Sequence, residues 1–533
     1  MNDLVSPPAL NIPDLAAGVA YLGRIPLANP AVAERQFGQF LDSLLAQPPE
    51  HDDLFVLLEQ ARVPLCFVEE EMARRYHNKP LILGEVEEDA FEDVVAAWRK
   101  MGKAYELCAR LATPDPEDPQ YAVRVATILH RCLYYTGMII LEHFRARREL
   151  PQGIWLDLHG YFATAEEWGV ATAPVQDALE HERQTTHCTA AYVTLLLIEL
   201  ASPYARSVRD LNLIRRWAGQ WAPLVAVQPL GDEAEVPPYV LQLMRDGGLH
   251  PAANSEDFGN DVRRLDTTRL GLQMNQMLMQ LSQRIPPSQL GLGEETSSHV
   301  TRLLQQLSRT WTQQTAPRRF RRFPTQGSAK VVLGLEGIHY FLNGEREFIQ
   351  HDSAKTYSRG DFDTLFTFRF QENTGRKLTI REAPDFHVDT WGMTNHSANG
   401  FRLVRTAAGQ KISHGELMAI CPEDGDRYLL GQATWLMQSS DGGIVAGVAV
   451  LPGVPVAVGV RLSGVGVGHQ FVRAFLLPAI PAISETASVV MAPGMYSGSR
   501  VLDVQAAEGT WQIRLKTVLQ RGLDFERIGF DLV

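Results

Sequence analysis

The sequence predicts an α+β multidomain protein, in which an N-terminal all-α helical domain is followed by a C-terminal antiparallel β-barrel region. Two observations lead to this prediction. Up to about Trp221, apolar residues recur at intervals of three and four, which is the spacing of amphipathic helices. From Phe401 onward, short apolar runs alternate with turns rich in Gly, Asp and Ser, which is typical of antiparallel strands in a small barrel.

The first part of the chain contains helical patterns that are separated mostly by Pro and Gly. They follow a Pro-rich segment of about 30 residues that we expect to be irregular. Helices are predicted over Ala31–Leu45, Phe91–Leu111, Tyr121–Arg148, Gly153–Trp168, Val175–Leu200 and Arg206–Trp217. We therefore assign residues 1–221 to a helical bundle or solenoid-like interaction domain, and expect it to contact a protein partner.

The middle of the chain has a mixed pattern. Two short strand patterns, at Leu224–Leu230 and Pro238–Leu243, precede a Met-rich helical run, and a further helix is predicted over Glu294–Gln313. Residues 222–314 are therefore predicted to form a small mixed module and a connecting helix.

The last part of the chain is predicted to be rich in β-strands. Residues 315–465 are assigned to a barrel that carries a polar insertion near 343–384, because longer surface loops cost little additional closure entropy. Residues 466–533 are predicted to be a β-rich extension, part of which is expected to close the barrel and part to form an adjoining sheet. The strand patterns after Gly400 are Phe401–Val404, Gly415–Ile420, Tyr428–Met437 and Ile444–Leu451.

Composition and charge restrict the possible functions. A net charge of −12 over 533 residues argues against general binding of nucleic acids or anionic membranes. The chain begins without the basic start and apolar core of a signal peptide, and no apolar run reads as a membrane span. The five cysteines lack paired spacing, so we expect a reduced, cytoplasmic protein.

Two short motifs carry the chemistry that we consider functional. The first contains four arginines in five residues and reads Arg318-Arg319-Phe320-Arg321-Arg322. Each guanidinium can hold a phosphate bidentately, pair with a guanine edge, or stack on a base. The second motif places Asn395, Ser397 and Gly400 on one turn, where the amide can read a guanine edge and the glycine allows close approach of a ligand.

In this order, R-x-x-x-R followed by N-x-S-x-x-G resembles the PilZ domain family, and the strand succession after Gly400 is similar to its barrel. The resemblance implies a bacterial receptor for the second messenger cyclic di-GMP, with Arg318, Arg319, Arg322, Asn395, Ser397 and Gly400 as ligand-binding residues. It implies no further cofactor. The separation between the two motifs is longer than is usual in the family, which the predicted insertion explains.

Three other functional classes have weaker support. A ligand-independent adaptor with a PilZ-like fold is the main alternative, because the motifs are far apart and the helical domain is large. RNA binding through Arg318–Phe323 conflicts with the acidic chain, and no catalytic triad, P-loop or dinucleotide fingerprint indicates an enzyme. His181, His187 and Cys188 lack the spacing of a metal site, so we expect them to be ordinary packed or surface residues.

Overall fold

The computed structural model describes residues 10–111, 119–180, 185–230, 237–252, 259–313, 322–349, 386–406, 408–464, 470–496, 498–506 and 509–533. The chain divides into two compact units. The first contains Met1–Lys79 and Leu83–Pro317, and the second contains Pro80–Ile82 and Arg318–Val533. The finer division into four domains stays a prediction.

The first unit is mainly helical. Its helices are α1 (Leu15–Leu22), α2 (Pro30–Ala46), α3 (His51–Ala73), α4 (Glu85–Leu111), α5 (Pro119–Arg145), α6 (Ile154–Glu167), α7 (Cys188–Leu200), α8 (Val208–Trp221), α9 (Thr268–Ser282) and α10 (Ser297–Trp311). Its strands are β1 (Val175–Gln176), β2 (Thr185–Thr186), β3 (Ala226–Pro229), β4 (Tyr239–Gln242), β5 (His250–Pro251) and β6 (Val262–Asp266). The predicted helices and the two middle strands are present, and β3–β6 form one sheet in the order β3-β6-β4-β5.

Two local predictions for this unit are wrong. The first residues are not irregular throughout, because α1 forms after Asp14, whose side chain accepts the Ala17 N–H at 2.8 Å. The predicted helix over Val175–Leu200 begins only at Cys188, after the β1–β2 ladder.

Buried charges hold β1 in its extended conformation. Asp177 accepts hydrogen bonds from Arg62 Nη2 at 3.0 Å and from Arg131 Nη1 at 3.1 Å. Arg131 also donates to the backbone oxygen of Gln176 at 2.8 Å. A helix through this segment would leave two buried guanidinium groups without these acceptors, which is costly in a protein interior.

The residues considered for a metal site have a structural role where they are described. His187 is the N-cap of α7, and its ring nitrogen accepts the Ala190 N–H at 3.0 Å. Cys188 is fully buried at the first turn of that helix. His181 lies outside the described residues, and the described part of the chain holds no cluster of side chains that could bind a metal ion. None of the helices described is long and apolar enough to cross a membrane.

The second unit contains two closed antiparallel barrels. The first consists of β7 (Phe323–Leu333), β8 (Asp389–Ser397), β9 (Gly400–Arg405), β10 (Leu417–Pro422), β11 (Leu429–Gln438) and β12 (Ile444–Val450). Its strand order is β10-β11-β12-β9-β8-β7, and it closes where β7 pairs with β10. A helix that the sequence did not predict, α11 (Leu335–Leu342), lies in the connection between β7 and β8. Most of the predicted insertion at 343–384 lies outside the described residues.

The C-terminal extension forms a second barrel together with β13 (Val456–Leu462), a strand that lies before residue 466. This barrel also contains β14 (Val472–Leu477), β15 (Ser488–Met491), β16 (Val501–Ala506), β17 (Gly509–Arg521) and β18 (Glu526–Leu532), and its strand order is β13-β14-β15-β18-β17-β16. It closes where β13 pairs with β16. No strand of the extension closes the first barrel, which was expected of part of it; its strands form an adjoining sheet that is itself closed.

The two barrels share one hydrophobic cluster. Leu417 and Leu430 of the first barrel, Ile338 of α11, and Phe475 and Phe525 of the second barrel are all fully buried in it. Polar contacts surround this cluster. Gln520 donates to Gln432 Oε1 at 2.6 Å, the Leu523 N–H donates to Gly415 O at 2.9 Å, and the Leu417 N–H donates to Asp524 Oδ1 at 2.9 Å. The second barrel thus supports the first directly.

A carboxyl group at the junction of the two barrels, that of Glu416, is expected to make the stability of the fold depend on pH. Burial raises the pKa of Glu416 from 4.5 to about 7, and the neighbouring Asp524 raises it as well, against the opposing effect of the Ser413 N–H. Between pH 4.5 and about pH 7, Glu416 is protonated in the folded protein but ionised in the unfolded chain. The free energy of unfolding should therefore fall as the pH rises from 4.5 to 7.

We expect Glu416→Gln to reduce this dependence, because the amide keeps an acceptor for Ser413 but does not titrate. Urea unfolding between pH 5 and pH 8 measures the slope. Glu423→Gln is the control, since Glu423 is an exposed carboxylate of the same barrel. If Glu416→Gln and the wild type lose stability equally over this interval, the junction is not the titrating element.

Candidate functional site

A cleft of about 300 Å3 lies on the first barrel and contains most of the predicted ligand-binding residues. It is lined by Arg322, Asn395, Ser397, Asn399, Gly400, Phe401, Arg402, Thr434, Trp435, Gly447, Val448 and Ala449. These residues come from the start of β7 and from four neighbouring strands, β8, β9, β12 and β11. The barrel therefore collects in one place residues that are distant in the sequence.

Four of the lining residues form a continuous row across these strands, which we call the cross-strand row. Asn395 on β8 pairs with Arg402 on β9, Arg402 pairs with Gly447 on β12, and Gly447 pairs with Trp435 on β11. Side chains directly opposite each other in a sheet project from the same face. Arg402 is exposed whereas the next residue, Leu403, is fully buried, so the cross-strand row lies on the outside of the barrel.

The indole of Trp435 lies over the backbone of Gly447. A Cβ atom on Gly447 would lie 1.7 Å from Trp435 Nε1, so only glycine leaves space for the ring. The guanidinium carbon of Arg402 is 5.9 Å from the centre of the same ring, within the range of a cation–π interaction. Together these side chains form a flat, partly exposed surface with a positive charge at its edge.

The turn between β8 and β9 is held by its own polar groups. The Ser397 hydroxyl donates to Asn399 Oδ1 at 2.9 Å and lies 3.4 Å from Gly400 O. Gly400 packs closely on β12, because a Cβ atom there would lie 2.3 Å from Val448 O. Ser397 therefore shapes the turn, and the absence of a side chain at Gly400 allows the turn to pack on the neighbouring strand.

Strand pairing brings Arg322, the last residue of the arginine motif, beside this turn. On β7, Phe323 pairs with His396 and Pro324 pairs with Asn395, and the rings of Phe323 and His396 are 6.0 Å apart. Arg322 is exposed immediately before β7 and lines the cleft. Arg318 and Arg319 lie outside the described residues. Of the predicted site residues, the structure thus brings together Arg322, Asn395, Ser397 and Gly400.

Sequence reasoning missed Arg402 and Trp435. Arg402 could have been found, because it follows Gly400 by two residues in a predicted strand and alternation places both on one face. Trp435 lies in a predicted strand too, but its place in the site depends on how β11 pairs with β12. That pairing includes an irregularity between Ala433 and Trp435, which no local pattern indicates.

The cleft has the features of a site for a flat, anionic ligand. The described residues that line it include two arginines and no carboxylate. A partly exposed aromatic ring can stack on a base, and an amide can both donate and accept at the edge of one.

The close packing at Gly400 leads to a prediction about stability. We expect Gly400→Ala to lower the free energy of unfolding by about 1–3 kcal/mol, because the new methyl group would meet a backbone oxygen that cannot easily move. Gly327→Ala on β7 is the matched control, since its methyl group would meet nothing nearer than Met393 Cε at 3.7 Å. Chemical unfolding measures both. Equal unfolding midpoints for the two variants would contradict this reading of the turn.

The chain is similar to known proteins along most of its length. Three family models match successive parts of the chain: "Cyclic-di-GMP receptor FimW, N-terminal domain" over residues 16–233, "middle PilZ domain" over 247–381, and "C-terminal beta-barrel domain" over 458–533. The Cyclic-di-GMP receptor FimW of Pseudomonas aeruginosa is 23% identical over an alignment 509 residues long, which takes in 88% of this chain and 82% of that protein. The PilZ match ends at residue 381, whereas the barrel continues through β12.

The three matches follow one another along the chain, and the PilZ match takes in the end of the helical unit and, of the strands of the first barrel, only β7. They confirm the resemblance that the two sequence motifs indicated. The chain is therefore similar to the Cyclic-di-GMP receptor FimW in three successive parts, and its middle part is similar to the PilZ domain of that receptor.

Proposed function

We propose that this protein is a receptor for cyclic di-GMP, which binds in the cleft on the first barrel. The observation that carries the proposal is the meeting of Arg322, the Asn395–Gly400 turn and the Arg402–Trp435 pair around one cleft. Cyclic di-GMP contains two guanines and two phosphates. The cleft offers a partner for each chemical part of this ligand.

Each lining residue has a distinct proposed role. Arg322, with Arg318 and Arg319 before it in the sequence, holds a phosphate or a guanine edge through charge-assisted hydrogen bonds. Asn395 reads a guanine edge. Trp435 provides a stacking surface, and Arg402 adds positive charge beside it. Ser397 acts mainly on the turn, and Gly400 keeps the turn close to β12.

The electrostatics favour an anionic ligand of small size. The chain as a whole has a net charge of −12, which disfavours a long polyanion such as RNA. Positive charge is instead concentrated at the arginine motif and at Arg402. A compact ligand with two phosphates needs only such a local group of positive charges.

The helical unit is the proposed contact for a protein partner, and ligand binding is proposed to change that contact. The arginine segment supports a link between the two events, because it follows α10 directly in the sequence. We propose a cytoplasmic location, since all five cysteines are free and free thiols persist in a reducing compartment. The protein acts by binding and not by catalysis.

Titration calorimetry with cyclic di-GMP tests the proposal. We expect Arg322→Ala to weaken binding about 10- to 100-fold, because a hydrogen bond to a charged group contributes about 1.5–3 kcal/mol. Trp435→Ala should weaken binding about 5- to 100-fold through the loss of stacking on one base. Arg427→Ala is the matched control, since Arg427 is an exposed arginine of the same barrel outside the lining of the cleft.

Two outcomes would contradict this function. Binding that Arg322→Ala and Trp435→Ala leave unchanged would mean that the ligand occupies another place. No heat of binding at micromolar cyclic di-GMP would favour the ligand-independent adaptor. A protein partner that is retained equally with and without cyclic di-GMP would support that alternative further.

A further inference from the structure

Three residues between α3 and α4, Pro80–Ile82, belong to the second compact unit, although the helices on either side belong to the first. We call these residues the strap. Leu81 forms a β-bridge with Ile412, which lies in the connection between β9 and β10. The two residues exchange both backbone hydrogen bonds, each at 2.8 Å. Leu81 is 1% exposed and Ile412 is 0% exposed, so water does not compete for this pairing.

The connection that carries Ile412 is anchored at the open end of the β8–β9 hairpin. Asp389, the first residue of β8, accepts a hydrogen bond from Arg405, the last residue of β9, at 2.6 Å. Both groups also hold Gln410. Its N–H donates to Asp389 Oδ2 at 3.2 Å, and its carbonyl oxygen accepts from Arg405 Nη1 at 2.8 Å. The position of Gln410, two residues before Ile412, is therefore fixed by the ends of the two strands.

This anchor is rigid. Asp389 and Arg405 are 6% and 3% exposed, and the guanidinium carbon of Arg405 lies 4.9 Å from the centre of the Trp391 ring. Removing one partner of such a buried pair would leave an uncompensated charge, which is strongly destabilising. A side chain on Gly409 would also meet Arg405 and Asp389 at 2.6 Å, so the connection passes close over the pair.

The turn between β8 and β9, which lines the cleft, lies at the other end of the same hairpin. β8 runs from Asp389 to the turn and β9 returns from Gly400 to Arg405, over a length of about 20 Å. The ladder between the strands fixes one end relative to the other. Binding at the turn would therefore restrict the hairpin, its buried ion pair, and the connection that holds the strap.

We propose that the β8–β9 hairpin transmits occupancy of its turn to the strap through Gln410 and Ile412, and so to the ends of α3 and α4. This inference rests on the proposed function, because it needs cyclic di-GMP at the turn. The strap continues covalently into both helices. An effect of ligand binding can therefore reach the helical unit through the strap, and this connection is separate from the arginine segment after α10.

Amide hydrogen exchange of the full chain, with and without saturating cyclic di-GMP, tests the inference. We expect exchange at Leu81 and Ile412 to slow by about 5-fold or more, which is the lower end of the usual coupling between two sites. An internal control is available in the second barrel. Ile480 and Glu485 form a similar isolated bridge there, and their exchange should not change.

A variant tests the coupling from the other side. Ile412→Pro removes the N–H that donates to Leu81, so the bridge loses one of its two hydrogen bonds. Because coupling between two binding events is reciprocal, cyclic di-GMP should bind this variant more weakly, by up to the factor by which it slows exchange at Leu81. Circular dichroism tests whether the variant is folded. If it is unfolded, the hydrogen exchange of the wild type with and without cyclic di-GMP alone decides whether the strap responds to the ligand.

The outcomes separate this inference from the proposed function. If calorimetry shows no binding of cyclic di-GMP to the wild type, both are overturned. If cyclic di-GMP binds but exchange at Leu81 and Ile412 stays the same, only the role of the strap is overturned. Slower exchange at Ile480 and Glu485 to the same extent would also overturn it, since the effect would then be a general stabilisation.

Discussion

The close approach of the backbone at Gly400 and Gly447 is the constraint on which the site depends. At Gly400, the turn packs against a carbonyl oxygen of β12 with no space for a side chain. At Gly447, the missing side chain leaves the position that the Trp435 ring occupies. A methyl group at the first position would separate the turn from β12, and one at the second would displace the ring.

This constraint explains why the site is on the outer face of a barrel and needs no deep cavity. Core side chains such as Leu403 fill the barrel interior, which leaves no space there for a ligand. The cross-strand row presents an amide, a guanidinium and an indole outward in fixed register. The second barrel supports the first through the cluster around Phe475 and Phe525, which includes Leu430 on β11, the strand of Trp435.

The sequence predicted those features that depend on local patterns. Alternating apolar residues identified β9 to β12, and the N-x-S-x-x-G motif identified the turn, because strand alternation and turn chemistry act over a few residues. Features that depend on distant pairing were missed. The place of Trp435 follows from the register of β11 with β12, and the closure of the second barrel follows from the pairing of β13 with β16. The Leu81–Ile412 bridge joins residues far apart in the sequence, with no strand pattern around either.

The structure of the complex with cyclic di-GMP tests the central claim most directly. Our account predicts that one guanine stacks on Trp435, with ring centres about 4.5–7 Å apart, while Arg322 contacts a phosphate or the second base. A complex in which cyclic di-GMP binds elsewhere, and the cross-strand row from Asn395 to Trp435 makes no contact with it, would contradict the account.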